Sequence, residues 1–267
     1  CLNWGCIPTK ALLKNAEVYQ TVKKAEMYGI DIKGVSVDFK KNVDRSKSVA
    51  KQLSKGIEFL MKKNSITHFS GLGKLESKNY INIIQKSRSK QISAKNIIIA
   101  TGAKPKTFQN IKIDGKYIID SKEALNLIEV PKKIIIVGSG AIGCEFAFYF
   151  NSFGADVEII EMQKTILPME DSEISAALKD SFVSSGIKIH NNSKVHSIDK
   201  LKTKIKVNVV TESGSLQIDG NIALLAIGVE GNINNIGLKD VGVKSENGLI
   251  SINNHCQTNI SNIYAIG

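Results

Sequence analysis

Lys133-Ile134-Ile135-Ile136-Val137-Gly138-Ser139-Gly140-Ala141-Ile142-Gly143 is the stretch whose reading decides the fold. Its first five residues include four β-branched ones and predict a buried strand. They run directly into glycines spaced G-x-G-x-x-G. Ala141 to Phe153 then predicts a helix and Val157 to Ile160 a second strand, with Glu161 at its end. A strand, a glycine turn, a helix, a strand and an acid about 20 residues on form the context a dinucleotide fingerprint requires. Gly138 permits the tight turn, Gly140 lets a pyrophosphate approach the backbone at the helix N-terminus, and Gly143 lets helix and strand close up. Ser139, Ala141 and Ile142 complete the turn. Glu161 is positioned to accept hydrogen bonds from the 2′- and 3′-hydroxyls of an adenosine ribose, and its charge repels a 2′-phosphate. The stretch therefore predicts NAD binding, against the competing reading of a glycine turn in a nucleotide-free α/β domain.

Outward from this unit the pattern stays α/β. Downstream come a helix over Ile174 to Phe182, short strands at Ile187 to His190 and Val195 to Ile198, and a hairpin of Ile205 to Thr211 with Leu216 to Ile218. A last strand, Ile222 to Ile227, ends at Gly228. Upstream, Ser121 to Leu127 predicts a short helix before Pro131, and residues 104–115 a loop. Short strands are predicted at Ile66 to Phe69, Gly71 to Leu75 and Tyr80 to Ile84, and a buried one from Asn96 ends in Thr101-Gly102-Ala103. Two amphipathic helices precede them: Pro8 to Tyr28, stopped by Gly29, and Val43 to Lys63, with Val49, Leu53, Ile57, Leu60 and Met61 on its expected core face.

At the start of the first helix stands Cys1-Leu2-Asn3-Trp4-Gly5-Cys6-Ile7-Pro8-Thr9-Lys10. One helical turn can bring the two sulfurs into bonding range, and a helix N-terminus favours a thiolate. Spacing alone leaves three readings open: a redox pair, a static staple, or chance neighbours in a reducing compartment. Cys144 and Cys256 read as bystanders. The lone histidines suit surface or satisfied core groups, with no carboxylate partner evident, and no metal-ligand cluster can be assembled.

Composition narrows the function classes. The 267 residues are 42% hydrophobic, enough for two ordinary domains. The net charge of +11 is spread over scattered lysines, without an arginine-rich arm, zinc-finger spacing or RNA-binding aromatic motif, so nucleic acid is not the expected partner. Four cysteines are too few for a secreted disulfide framework. The most apolar stretch, Ile134 to Phe150, carries Glu145 and is too short for a membrane span. A chain beginning at cysteine reads as truncated.

CLNxGCIPxK resembles the redox-active segment of the flavin-dependent pyridine nucleotide-disulfide oxidoreductases, most closely their dihydrolipoamide dehydrogenase branch, departing at Trp4 and Thr9. Gly71-x-Gly73 and Ala100-Thr101-Gly102-Ala103 resemble that family's FAD-contacting stretches. Leu224 to Asn232 resembles its nicotinamide-side loop, with Glu230-Gly231 in place of the usual Arg-Pro, and Tyr264 to Gly267 resembles its second FAD motif. Glu161 favours the NAD-using branch.

The resemblance implies two Rossmann-like α/β domains. These are a partial FAD-binding domain (1–117), an inserted NAD-binding domain (118–247), and the start of the return to the central domain (248–267). It implies a Cys1–Cys6 redox disulfide, with Cys1 the interchange thiol and Cys6 facing the flavin, and a Lys10–Glu145 pair at the flavin edge. FAD contacts are expected from Cys1, Cys6, Lys10, Gly73, Thr101, Gly102 and Ala103. NAD contacts are expected from the 138–143 turn, Glu161, Val195, Ala226, Ile227 and Gly228, with Ile142 gating the nicotinamide. The implied activity is oxidation of dihydrolipoyl groups of 2-oxo acid dehydrogenase complexes, with NAD+ as acceptor; the alternatives are another disulfide or mercuric reductase of the same superfamily, or an inactive NAD-binding fragment. The enzyme would be a homodimer in the cytoplasm or an organelle matrix, with neither membrane nor nucleic acid as partner. The FAD glycine motif and the catalytic His-Glu pair would lie outside this chain.

Overall fold

A computed structural model describes residues 1–86 and 88–267. The chain opens with α1 (Cys6–Lys23), a 3-10 turn (Ala25–Tyr28) capped by Gly29 at φ 73°, and α2 (Phe39–Lys63). Five short strands follow: β1 (Leu72–Leu75), β2 (Tyr80–Gln85), β3 (Arg88–Ser93), β4 (Ile97–Ile99) and β5 (Ala103–Pro105). Next come β6 (Ile118–Ile119), α3 (Ser121–Ala124), β7 (Lys133–Val137), α4 (Ala141–Ser152), β8 (Asp156–Ile160), α5 (Ser172–Ser184) and β9 (Lys188–His190). An antiparallel run of β10 (Lys194–Lys200), β11 (Ile205–Thr211) and β12 (Gly214–Gly220) leads to β13 (Ile222–Leu225). The chain closes with β14 (Val229–Gly231), α6 (Leu238–Val241), β15 (Ser245–Glu246), β16 (Leu249–Ile250) and β17 (Ile263–Ala265).

These elements fall into two compact units, Cys1–Glu58 with Lys106–Gly228, and Phe59–Pro105 with Val229–Gly267. The first unit is built on a parallel sheet in the order β6-β13-β7-β8-β9. Both faces of β7 are covered, which is why its sequence is a continuous apolar run. Ile134 and Ile136 enter one core with Leu12, Ala16, Phe146, Ala147 and Phe150 of the helices. Ile135 and Val137 enter another with Val195, Val207, Val209 and Ile218 of the antiparallel strands. α1 is fastened to this unit by Tyr19, stacked on Phe153 at 5.2 Å between ring centroids. Phe39 meets Tyr149 at 5.4 Å and the edge of Phe153 at 5.4 Å. Asp120 starts α3: its carboxylate accepts from the N–H groups of Lys122 and Glu123, and the Glu123 side chain accepts from Asp120 N.

The second unit holds the antiparallel sheet β1-β2-β3 and three two-stranded ladders. β4 pairs in parallel with β17, and β5 pairs antiparallel with β14. Ile97, Ile99, Ile236, Leu238, Ile263 and Ala265 are buried together in its core.

Four expectations need correcting. Ile66 to Phe69 forms no strand; these residues are exposed, and among the described residues no strand pairs with them. β3, whose polar sequence hid it, completes the sheet with β2. The buried stripe of α2 is Phe39, Val43, Ser46 and Ala50, all in its first half, while Leu53, Ile57 and Leu60, further along the same face, are exposed. His190 has a carboxylate partner after all, with Nε2 2.9 Å from Glu158 Oε2.

Candidate active site

The glycine turn joins β7 to α4, and its three glycines do different work. Gly138 has φ +98°, and a Cβ there would lie 2.5 Å from Ala226 O. A Cβ on Gly143 would lie 2.1 Å from Gly138 O. Both positions are glycine because the protein's own backbone fills the space. Gly140 is different: it is the N-cap of α4 at φ −65°, and a Cβ there would meet nothing within 4 Å. The space above it is open where a helix N-terminus presents N–H groups, so this cradle fits a dinucleotide pyrophosphate.

Glu161 lies at the end of β8, only 7% exposed. Its Oε2 accepts from Ser139 N at 2.8 Å and Ser139 Oγ at 2.6 Å, and its Oε1 accepts from Gln163 N at 2.8 Å. The acid is thus already attached to the glycine turn. Ser139 is fully buried, and its carbonyl accepts from Leu167 N at 2.9 Å and from the Cys144 thiol at 3.2 Å. Burial foremost, then the charges of Glu161 and Glu145, pushes Cys144 up to about 12, which keeps it an inert thiol.

Ala141 is exposed at the start of α4, and Ile142 is half-buried against the helix-side core. Ala226 donates its N–H to Val137 O at 2.8 Å, beside the turn, with Ile227 partly buried and Gly228 exposed at φ +101°. Val195 is buried in the antiparallel-side core, so its side chain serves packing.

The cysteine segment sits at the N-terminus of α1 in the same unit. Gly5 is the N-cap, no side chain caps the helix, and Cys6 is its first residue. Cys1 folds back over this end, its carbonyl accepting from Ile7 N at 3.0 Å. The two thiols are free, exposed and 2.7 Å apart, sulfur to sulfur. Gly5 keeps them close, since a Cβ there would press on Cys1 Cα at 3.2 Å. One helical turn beyond, Lys10 Nζ donates to Glu145 Oε1 on α4. The pair ties α1 to the helix that follows the glycine turn, and the Lys10 side chain remains 63% exposed.

In the second unit, Gly73 and Thr101 line a cleft of about 470 Å³ with Gly71, Lys104, Asn232 and Asn234. Thr101 and Gly102 also line a cleft of about 250 Å³ with Ala265 and Gly267. The FAD-like stretches, far apart in sequence, therefore meet around Thr101. Ala103 pairs with Gly231 in the β5–β14 ladder. Two residues unremarked in the sequence organise this corner. Asn232 donates through Nδ2 to Thr101 O at 3.1 Å and through its backbone to Gly102 O at 2.9 Å. Lys104 pairs with Glu230 at 3.0 Å, which gives the departure from Arg-Pro a local partner. An asparagine after a glycine carries no distinctive signal; the opposite charges could have been matched only once the ladder was known.

His190 and Glu158 belong to a charge cluster away from the turn. Lys133 Nζ lies 2.5 Å and Lys188 Nζ 3.3 Å from Glu158 Oε1. Burial would raise this carboxyl, but hydrogen bonds from Lys133 and His190, then the Lys133 charge and Lys188, bring it down to about 2. Among the described residues, no group of three or more His, Cys, Asp or Glu could hold a metal ion, and no helix is long and apolar enough to cross a membrane.

The whole chain, residues 1–267, matches the family described as pyridine nucleotide-disulphide oxidoreductase. It is 40% identical to a dihydrolipoyl dehydrogenase of Chlorobaculum tepidum, over all of this chain and 57% of that protein. It is 38% identical to a dihydrolipoyl dehydrogenase of Acholeplasma laidlawii, over all of this chain and 78% of that protein. Among solved structures it superposes on LpdA from Mycobacterium tuberculosis with a TM-score of 0.91 at 23% identity, covering all of this chain and 58% of that one. The HOCl-induced flavoprotein disulfide reductase RclA from Escherichia coli superposes with a TM-score of 0.82 at 25% identity, covering all of this chain and 57% of that one. The chain thus spans a little over half the length of most of these relatives, and it belongs to the pyridine nucleotide-disulphide oxidoreductase family.

Proposed function

We propose that this chain is the redox-disulfide and NAD-binding part of a dihydrolipoyl dehydrogenase. The observation that carries the reading is the Cys1–Cys6 pair, 2.7 Å apart at the N-terminus of α1, joined through Lys10–Glu145 to the helix of a dinucleotide turn. In the complete protein a dihydrolipoyl dithiol would reduce a Cys1–Cys6 disulfide by thiol–disulfide exchange. One substrate thiolate attacks Cys1 Sγ and the S–S bond breaks toward Cys6; the second substrate thiolate then closes the lipoyl ring and releases Cys1 as a thiolate. Two electrons pass to the cysteine pair and two protons leave the substrate. NAD+ takes up the two electrons with one proton.

The clefts lined by Gly73, Thr101 and Gly102 fit part of an FAD site. A bound flavin would supply two-electron transfer between dithiol and nicotinamide. The residues of this chain do the rest. Cys6 holds charge at the helix N-terminus, Lys10 is steadied as a cation by Glu145, and Gly140 leaves room for the pyrophosphate. Glu161 orients the adenosine ribose and disfavours NADP. The lipoyl domains of 2-oxo acid dehydrogenase complexes are the proposed substrates, in a homodimeric enzyme.

The test is NAD reduction by dihydrolipoamide in the complete protein. Cys1→Ser and Cys6→Ser are expected to abolish it, and Glu145→Ala to slow reduction of the flavin by NADH. Retained turnover in both cysteine variants would refute the proposal.

A further inference from the structure

We propose that Ser139 is the positioning residue for Glu161, and that its hydroxyl sets how strongly the site prefers NAD to NADP; this rests on the reading of the turn as an NAD site. A carboxylate at a strand end can point several ways. Here the Ser139 N–H and hydroxyl converge on one oxygen, Oε2, at 2.8 and 2.6 Å. That oxygen is thereby turned into the turn and satisfied there. Among the described residues, Oε1 has one donor, Gln163 N. It is the oxygen with acceptor capacity left for a ribose hydroxyl.

The arrangement is fixed on the serine's side as well. Ser139 is fully buried, and its carbonyl takes both Leu167 N and the Cys144 thiol. The serine cannot swing away from the acid without breaking the strap to the segment after β8. A charge-assisted O–H donor in a dry site holds its partner firmly. Held in this way, the negative charge stays where a 2′-phosphate would have to sit, and cannot retreat from it.

Removing the hydroxyl leaves the N–H bonds from Ser139 and Gln163 and the fold of the turn, but takes away the shortest of the carboxylate's three hydrogen bonds and loosens its hold. Ser139→Ala is expected to weaken NAD binding about tenfold, the loss of one hydrogen bond to a charged group. NADP, which gains from a mobile acid, should not weaken. The NAD-to-NADP affinity ratio therefore falls by about the same factor. A merely structural role would weaken both nucleotides together and leave the ratio unchanged. In a Glu161→Gln background, Ser139→Ala should change NAD affinity by less than about twofold, because the group it acts through is already altered.

Calorimetric titration of the chain with NAD and with NADP reads all of these values. If Ser139→Ala lowers the yield of folded protein, Ser139→Gly removes the same hydroxyl and carries the same expectations. An unchanged ratio, or an equal loss in the wild-type and Glu161→Gln backgrounds, overturns the inference while leaving the NAD reading intact. Failure of the unsubstituted chain to bind either nucleotide overturns both.

Discussion

Two helix N-termini in the first unit invite comparison, α4 behind the glycine turn and α1 behind the cysteines. Both have glycine as N-cap and no side-chain cap, but at α1 the Cys1 carbonyl takes Ile7 N and Pro8 has no N–H, whereas α4 leaves its first N–H groups for something other than the protein. They differ in how much is already assembled. At α4 the second residue of the turn is fully buried, the acid is hydrogen-bonded in place, and only the space above Gly140 is open. At α1 the two sulfurs are exposed and the lysine one turn on is largely exposed. On the proposed reading the first is a preformed dinucleotide site within one unit, and the second is an exposed, reactive edge.

The sharpest way to break the contrast is at Gly143. Any side chain there drives into Gly138 O, so Gly143→Val is expected to cost about 3 kcal/mol or more and to abolish NAD binding. A thermal unfolding scan checks this. A variant that melts with the wild type would mean the turn is not the rigid element described.

Glu158 comes next, as a buried charge that supports the sheet without touching a ligand. Its folded value of about 2 lies below the ordinary 4.5, so its contribution is present above the ordinary value and is lost as pH falls from about 4.5 toward 2. Glu158→Gln should lose about 2–3 kcal/mol at neutral pH and flatten the acid side of the stability profile over that window. Denaturant titrations at pH 7 and pH 3 read both. Equal sensitivity of the two proteins to acid would contradict the assignment.

The cysteines should behave in the opposite way. Cys1 and Cys6 are exposed, so their serine variants should stay within about 0.5 kcal/mol of wild type in the reduced state. Dithiol turnover in the complete protein should nevertheless fall by at least about a hundredfold. A large stability loss without loss of turnover would make the pair a structural feature.

What the sequence disclosed follows the same division. β7, the glycine turn, α4 and β8 were readable because burial on both faces, backbone approach and helix capping each demand particular residue types at fixed positions. The cysteine segment was readable through its likeness to a family, since its spacing alone left three readings open. The polarity of β3 and the two-residue length of β6 gave little periodic signal. The burial of α2 was misjudged because its apolar stripe continues past Ala50 to Leu60, while only the first half of that stripe is covered, which periodicity does not disclose. Asn232 and the Lys104–Glu230 pair depend on the β5–β14 ladder, a long-range pairing that local sequence does not encode.

The claim that the turn at α4 is built for a ligand rests most directly on Gly140. Among the described residues no atom lies within 4 Å of a methyl group there, and the preference of an N-cap for glycine over alanine is about offset by the reduced entropy of the unfolded chain. Calorimetric titration of Gly140→Ala with NAD, alongside its melting temperature, is the deciding measurement. Unchanged melting with affinity reduced about tenfold or more is the expected result. Unchanged melting with wild-type affinity would contradict the account.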